Sequence, residues 1–96
     1  MKTLKPILPG QFIKEDWLAD QGLTQNSLAR ALKIPVSRLN DIIQGRRGIS
    51  ADTAVRLGRF FGNSPAFWLH LQADYDLRMI DEKRITEEIV PHVHAA

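Results

Sequence analysis

The 96-residue chain contains no cysteine. That excludes a disulfide scaffold, a cysteine-ligated zinc or iron–sulfur site and a thiol nucleophile, and it suits a reducing compartment. Long apolar runs are also missing. The longest is Ala66-Phe67-Trp68-Leu69, against the roughly 20 residues needed to cross a bilayer. The opening residues Met1-Lys2-Thr3-Leu4-Lys5-Pro6 lack the apolar core of a secretion signal. A cytoplasmic protein with no membrane partner is therefore expected. Signatures of catalysis are lacking as well: there is no glycine-rich phosphate loop, metal triad or nucleophile–base pattern. Asp74 and Asp76 stand two apart on a predicted helix and diverge, and Glu87 and Glu88 fall in the tail. His92-Val93-His94 has no third ligand nearby in sequence, so it is not read as a metal site. His70 stands alone and is read as structural. A non-enzyme without cofactor or metal is expected.

What is present fits one folded domain. Hydrophobic residues make up 44% and charged residues 25%, an ordinary balance for a globule of this length. The net charge is only +2, but it is unevenly spread. Between Thr24 and Arg59, Arg30, Lys33, Arg38, Arg46, Arg47, Arg56 and Arg59 are opposed only by Asp41 and Asp52. From Asp74 onward six acids face three bases. A basic middle ahead of an acidic tail suits a polyanion-binding surface at the centre.

No stretch alternates as a strand would, whereas helical spacing recurs between close punctuation. The fold class expected is all-α, with five helices. Pro9-Gly10 opens the first, which runs to about Asp20, with Phe12, Ile13, Trp17 and Leu18 on its apolar face. Thr24 caps the second, Gln25 to about Leu32. Lys33-Ile34-Pro35 breaks the chain before a third, from Val36 to about Gln44, stopped by Gly45. Ser50 caps the fourth, whose buried face is Ala54, Leu57, Gly58 and Phe61. Ser64-Pro65 opens the fifth, predicted to run to about Lys83. The domain is thus 1–83, including an N-terminal arm 1–8, and 84–96 is a tail expected to fray.

Helices 2 and 3, with their tight break, have the outline of a helix-turn-helix. At about 100° per residue, Leu39, Ile42 and Ile43 share one face of helix 3. Ser37, Asp41 and Gln44 lie opposite, flanked by Arg38 and Asn40. One side packs, and the other offers side chains of the kind that read base edges. Ala29 supplies the small residue that two closely crossing helices need.

The stretch Leu23-Thr24-Gln25-Asn26-Ser27-Leu28-Ala29, followed by Ile34-Pro35-Val36-Ser37-Arg38-Leu39, resembles the lambda-repressor-like (XRE) helix-turn-helix superfamily. Three further blocks are similar to the HigA-type antitoxins, the virulence-associated protein I group: Pro9 to Glu15, Asn40 to Ala54, and Phe61 to Gln72 continuing through Tyr75-Asp76-Leu77. They span about Pro9 to Leu77 in family order and spacing. The family's opening block usually reads His-Pro-Gly-Glu, where this chain has Leu8-Pro9-Gly10-Gln11. The resemblance implies a five-helix domain that dimerises, binds a palindromic double-stranded operator upstream of its own operon, and neutralises a co-encoded small basic toxin, an mRNA endonuclease. A stand-alone helix-turn-helix repressor without a toxin partner is the alternative. The toxin's docking surface is open among the N-terminal arm, the first helix and the acidic tail.

The resemblance also places Gln25 where the superfamily has a glutamine that braces a DNA phosphate and the neighbouring helix. Ser37, Arg38, Asn40, Asp41 and Gln44 are candidates on the groove-facing side. Arg38 can read guanine bidentately, and Asn40 can reach adenine or a phosphate. Asp41 can accept from cytosine or orient Arg38, and orientation is the reading preferred. Val36 and the Ser37 Cβ can touch a thymine methyl. Arg46 and Arg47 are read as phosphate clamps, and Arg56 and Arg59 as solvating. The fifth helix carries two apolar stripes, Trp68–Leu71–Tyr75–Met79 and Leu69–Ala73–Leu77–Ile80, and one needs a partner. Phe67 and Trp68 are read as core. Leu71, Tyr75, Leu77, Met79 and Ile80 are assigned to a homodimer interface, with the choice of stripe open.

Overall fold

Helix punctuation in the sequence sets nearly every boundary of the computed structural model, which describes residues 7–93. Six helices follow one another among these residues. Helix α1 opens as an α-helical turn, Pro9–Phe12, with proline in its first turn, and continues as a π-helical stretch, Ile13–Ala19. The π-helical winding differs from the ordinary α-helix expected. Residues five apart stack when hydrogen bonds run i to i+5, and Ile13 and Leu18, five apart, are both buried. The helix is closed where Gly22 takes φ 66° and Leu23 N–H donates back to Leu18 O at 2.9 Å.

Helix α2 (Gln25–Leu32) starts from a reciprocal cap. Thr24 Oγ1 accepts from Ser27 N–H at 3.0 Å, and Ser27 Oγ accepts from Thr24 N–H at 3.1 Å, which satisfies two otherwise orphaned donors. Lys33 closes the helix in the left-handed conformation, φ 60°, which is uncommon for a residue with a side chain. Arg56 supports this end: its Nη1 donates to Leu32 O at 3.0 Å and its Nε to Asp52 Oδ1 at 2.7 Å. Arg56 is therefore a bolt between α4 and the end of α2, rather than the solvating residue expected.

Helix α3 (Val36–Ile43) ends in a Schellman motif. Gly45 takes φ 81°, Gly45 N–H donates to Ile42 O at 3.1 Å, and Arg46 N–H to Asp41 O at 2.8 Å. Helix α4 (Ala51–Phe61) is capped by Ser50, with Asp52 in its first turn and Gly62 at its end. Helix α5 (Pro65–Arg78) is capped by Ser64. It stops short of the expected Lys83, and a separate helix α6 (Glu82–Glu88) follows. The correction comes from Asp81, an N-cap whose side chain accepts from Arg84 N–H at 3.1 Å. Caps are where aspartate is most at home in a helix.

The core is formed by Ile13, Leu28, Leu39, Ile42, Leu57 and Trp68, each essentially inaccessible, with Leu18, Ala29, Leu32, Ile43, Ile49 and Ala54 around them. Phe12, Trp17 and Phe61 surround Trp68 with ring centroids 5.9–6.2 Å away. Phe67, expected in the core, stays 40% exposed while its ring meets Trp68 edge-on. His70 is exposed, so it is not a core residue. The Trp68 Nε1–H donates to Asn63 Oδ1 at 2.7 Å. Removing the acceptor strands a buried donor, at a cost of about 1–3 kcal/mol. Asn63→Ala should lower the denaturation midpoint in urea accordingly, while Asn63→Asp, which keeps the acceptor, should retain most of the stability.

Candidate nucleic-acid interface

The packing of α2 on α3 decides which side chains face outward. Leu28 and Ala29 of α2 and Leu39 of α3 are buried, and so are Ile42 and Ile43. The apolar face of α3 is thereby used up. Val36, Ser37 and Gln44 are exposed, and Arg38, Asn40 and Asp41 are half-buried. The expected division of the helix into a packed and an open side is what the structure has.

Asn40, Asp41 and Arg38 are each placed by a different partner. Gln25, first residue of α2, donates from Nε2 to Asn40 Oδ1 at 3.0 Å. This bond joins the two helices through their outward edge. With its oxygen engaged, the Asn40 amide nitrogen remains a donor of the kind that can meet a phosphate oxygen or a purine N7. Gln25 sits where a helix terminus also presents unpaired N–H groups.

Asp41 does not orient Arg38. Its Oδ1 accepts from Arg46 Nε at 3.1 Å, and its carbonyl oxygen accepts from the N–H groups of Arg46 and of Arg47, at 2.8 and 3.2 Å. The left-handed turn at Gly45 folds the chain back onto α3 and brings Arg46 to the carboxylate. Arg38 points instead toward α4, with Nη1 3.8 Å from Asp52 Oδ1. The Arg56 hydrogen bond holds the Asp52 carboxyl below its ordinary value; desolvation opposes it in part, and the positive charges of Arg56 and then Arg38 lower it further. Arg38 is therefore held loosely, at the edge of the open face. Arg47 makes no ion pair among the described residues, and Arg46 meets Asp41 through Nε, which leaves its two terminal nitrogens as further donors. Two guanidinium groups on a short loop beside an exposed polar helix can bind backbone phosphates.

The five residues assigned to the dimer interface divide along α5. Leu71 and Tyr75 are half-buried on the side that carries Trp68, whereas Leu77, Met79 and Ile80 are 73%, 60% and 52% exposed. The outward stripe therefore runs through Leu69, Leu77 and Ile80, and Met79 leaves the inward stripe where the helix ends. Among the described residues no three His, Asp or Glu side chains come together as metal ligands. His92 lies in extended chain beyond α6, while His94 and the arm residues 1–6 lie outside the described residues. No described helix is long and apolar enough to cross a membrane.

Sequence reasoning missed two contacts that shape this site. One is Arg56 on the end of α2. The other is Gln72 of α5, whose Oε1 accepts from Ile49 N–H at 2.8 Å. Both join residues more than 20 positions apart, and no local spacing signals such pairs.

Comparison with known proteins gives a consistent picture. The helix-turn-helix (HTH_3) family matches residues 15–68. Virulence-associated protein I of Dichelobacter nodosus is 42% identical over 84 residues, covering 88% of this chain and 78% of its own. An addiction module antidote protein of a HigA family from Coxiella burnetii superposes with a TM-score of 0.84 at 41% identity, over 93% of this chain and all of the other. The Pseudomonas aeruginosa antitoxin HigA, solved with the higBA promoter, superposes equally well, TM-score 0.84 at 42% identity over 92% and 99% of the two chains.

Proposed function

The chain belongs to the helix-turn-helix (HTH_3) family, and on that premise we propose that it is the antitoxin of a toxin–antitoxin pair. A homodimer binds a palindromic operator upstream of its own operon and represses it. The same protein neutralises, by direct binding, a small basic mRNA-endonuclease toxin encoded beside it. Both activities belong in the cytoplasm. The observation that carries the DNA-binding half is the open face of α3. It is tied to the head of α2 through Gln25–Asn40 and to a loop of two arginines through Asp41–Arg46. Base-reading side chains lie between phosphate-binding groups, the order a groove-bound helix requires. The antitoxin half draws its support from the likeness to the Coxiella antidote protein and the Pseudomonas antitoxin.

In this reading Ser37, Arg38, Asn40 and Gln44 face base edges, and Val36 meets a thymine methyl. Gln25, Arg46 and Arg47 hold phosphates, and Asp41 fixes Arg46. The exposed Leu77, Met79 and Ile80 supply the two-fold contact that a palindromic site demands, continued inward by Leu71 and Tyr75.

Purification from the native host at moderate salt, with mass spectrometry of stoichiometric partners, tests the proposal. The expected result is a small basic protein encoded next to this gene, toxic when expressed alone and harmless together with this chain. A homodimer without partner that still shifts DNA from its own promoter would instead establish a stand-alone repressor.

A further inference from the structure

The loop that carries Arg46 and Arg47 is anchored at both ends. At its near end the Schellman bonds and the Asp41 carboxylate hold Arg46. At its far end the anchor is α5. Ile49 N–H donates to Gln72 Oε1 at 2.8 Å, and Gly48 lies flat against the same amide, where an added Cβ would stand 3.1 Å from Gln72 Cδ. The orientation of that amide is fixed chemically. Gln72 Nε2 donates to Asp76 Oδ1 at 2.9 Å. An ionised carboxylate only accepts, so the nitrogen faces Asp76 and the oxygen must face Ile49. Gln72 lies far from α3 in sequence and carries no charge, yet it closes the span in which both arginines sit.

We propose that Gln72, oriented by Asp76, is a positioning residue for DNA binding: it holds the Arg46–Arg47 loop at the height from which both guanidinium groups reach phosphates. The proposal rests on the DNA-binding reading above. It also makes α5 a mechanical determinant of DNA affinity, since the helix that carries the exposed Leu77 holds the loop between one and two turns earlier.

The test is fluorescence anisotropy with a labelled mixed-sequence duplex across a salt series, so that sequence-independent phosphate binding is read. Gln72→Ala should weaken binding about fivefold to tenfold and lower the log–log salt slope by about one unit, the change that follows when one phosphate is no longer neutralised. Amide exchange at Ile49, followed by NMR, should accelerate in parallel. Gln72→Glu alone sets a second carboxylate against Asp76 and should also weaken binding. The exchanged pair Gln72→Glu/Asp76→Asn should recover affinity and slope, because the new amide donates to the new carboxylate, which still accepts from Ile49 N–H at unchanged net charge. A wild-type slope in Gln72→Ala, or no recovery in the exchanged pair, overturns the proposal while leaving DNA binding intact. If Gln72→Ala does not fold, the exchanged pair decides alone. Wild-type protein that binds no duplex at all overturns the DNA-binding reading, and this proposal with it.

Discussion

Replacing Arg46 and Arg47 together by alanine should reduce affinity for duplex DNA of any sequence by tenfold to a hundredfold near physiological salt, an order-of-magnitude expectation for two phosphates left without their cations. The log–log salt slope should fall by about two units, since each neutralised phosphate releases roughly 0.9 counterion. Discrimination between operator and scrambled DNA should change little, because phosphate binding positions the protein without reading sequence. The two single variants should not be equivalent. Arg47 makes no ion pair among the described residues, whereas Arg46 neutralises Asp41 at 3.1 Å. Arg46→Ala therefore removes a cation and also leaves a bare carboxylate on the open side of α3. It should cost more than Arg47→Ala, and adding Asp41→Asn should recover part of the difference. Anisotropy titrations of the singles, the double and the combination with Asp41→Asn measure all of this. An unchanged slope in the double variant would remove the loop from the interface.

Gly10→Ala should be the most destabilising alanine substitution among the glycines of the described residues. An added Cβ at this position runs into the backbone of α3, against Ile42 O and Ile43 Cα, and backbone cannot rotate out of the way as a side chain can. Overpacking of this kind costs about 1–3 kcal/mol and sometimes more, and the upper end applies here. For a domain of this size that corresponds to a melting temperature lower by roughly 10–20 °C. Gly22→Ala is the control. Gly22 has φ 66° but nothing within 4 Å of its added Cβ, so its cost is conformational only, roughly 1 kcal/mol. Thermal melts followed by circular dichroism should separate the two clearly. Equal losses would mean that α1 can retreat from α3. Because the obstruction lies beneath α3, Gly10→Ala protein that remains folded should also bind operator less tightly.

Most of what could be read in the sequence was punctuation. Thr24, Ser50 and Ser64 each cap the helix expected of them, and Gly45 and Gly62 close helices in the left-handed conformation. Such signals are local, carried by a few neighbouring side chains, and so survive in a bare sequence. The faces of α3 were legible for the same reason: three buried aliphatics at helical spacing leave only one side open. Pairing between charged residues was not. Asp41 and Arg38 stand one turn apart and invite a bond, yet the Gly45 turn returns Arg46 to the carboxylate, and Arg38 faces Asp52. Long side chains choose partners by where distant elements pass, and that is settled by packing. The π-helical winding of α1 was hidden as well, because Ile13, Trp17 and Leu18 satisfy either pitch when only their apolar character is considered. The split between α5 and α6 was missed at Asp81, a cap with no glycine or proline beside it to mark the break.

The two tryptophans of the chain sit in one cluster, their rings 6.2 Å apart, at the junction of α1, α4 and α5. Trp68 is fully buried, and the Trp17 and Phe61 rings meet at a tilt with centroids 4.3 Å apart. Neither belongs to α2, α3 or the arginine loop. The protein thus carries a built-in optical gauge of its own core. Near-ultraviolet circular dichroism and tryptophan emission report the packing of α1 against α4 and α5, with no indole on the open face of α3. Unfolding curves can therefore be recorded on the unlabelled chain without a direct contribution from groups at that face. An emission change on adding duplex would report movement transmitted from α3 into the core.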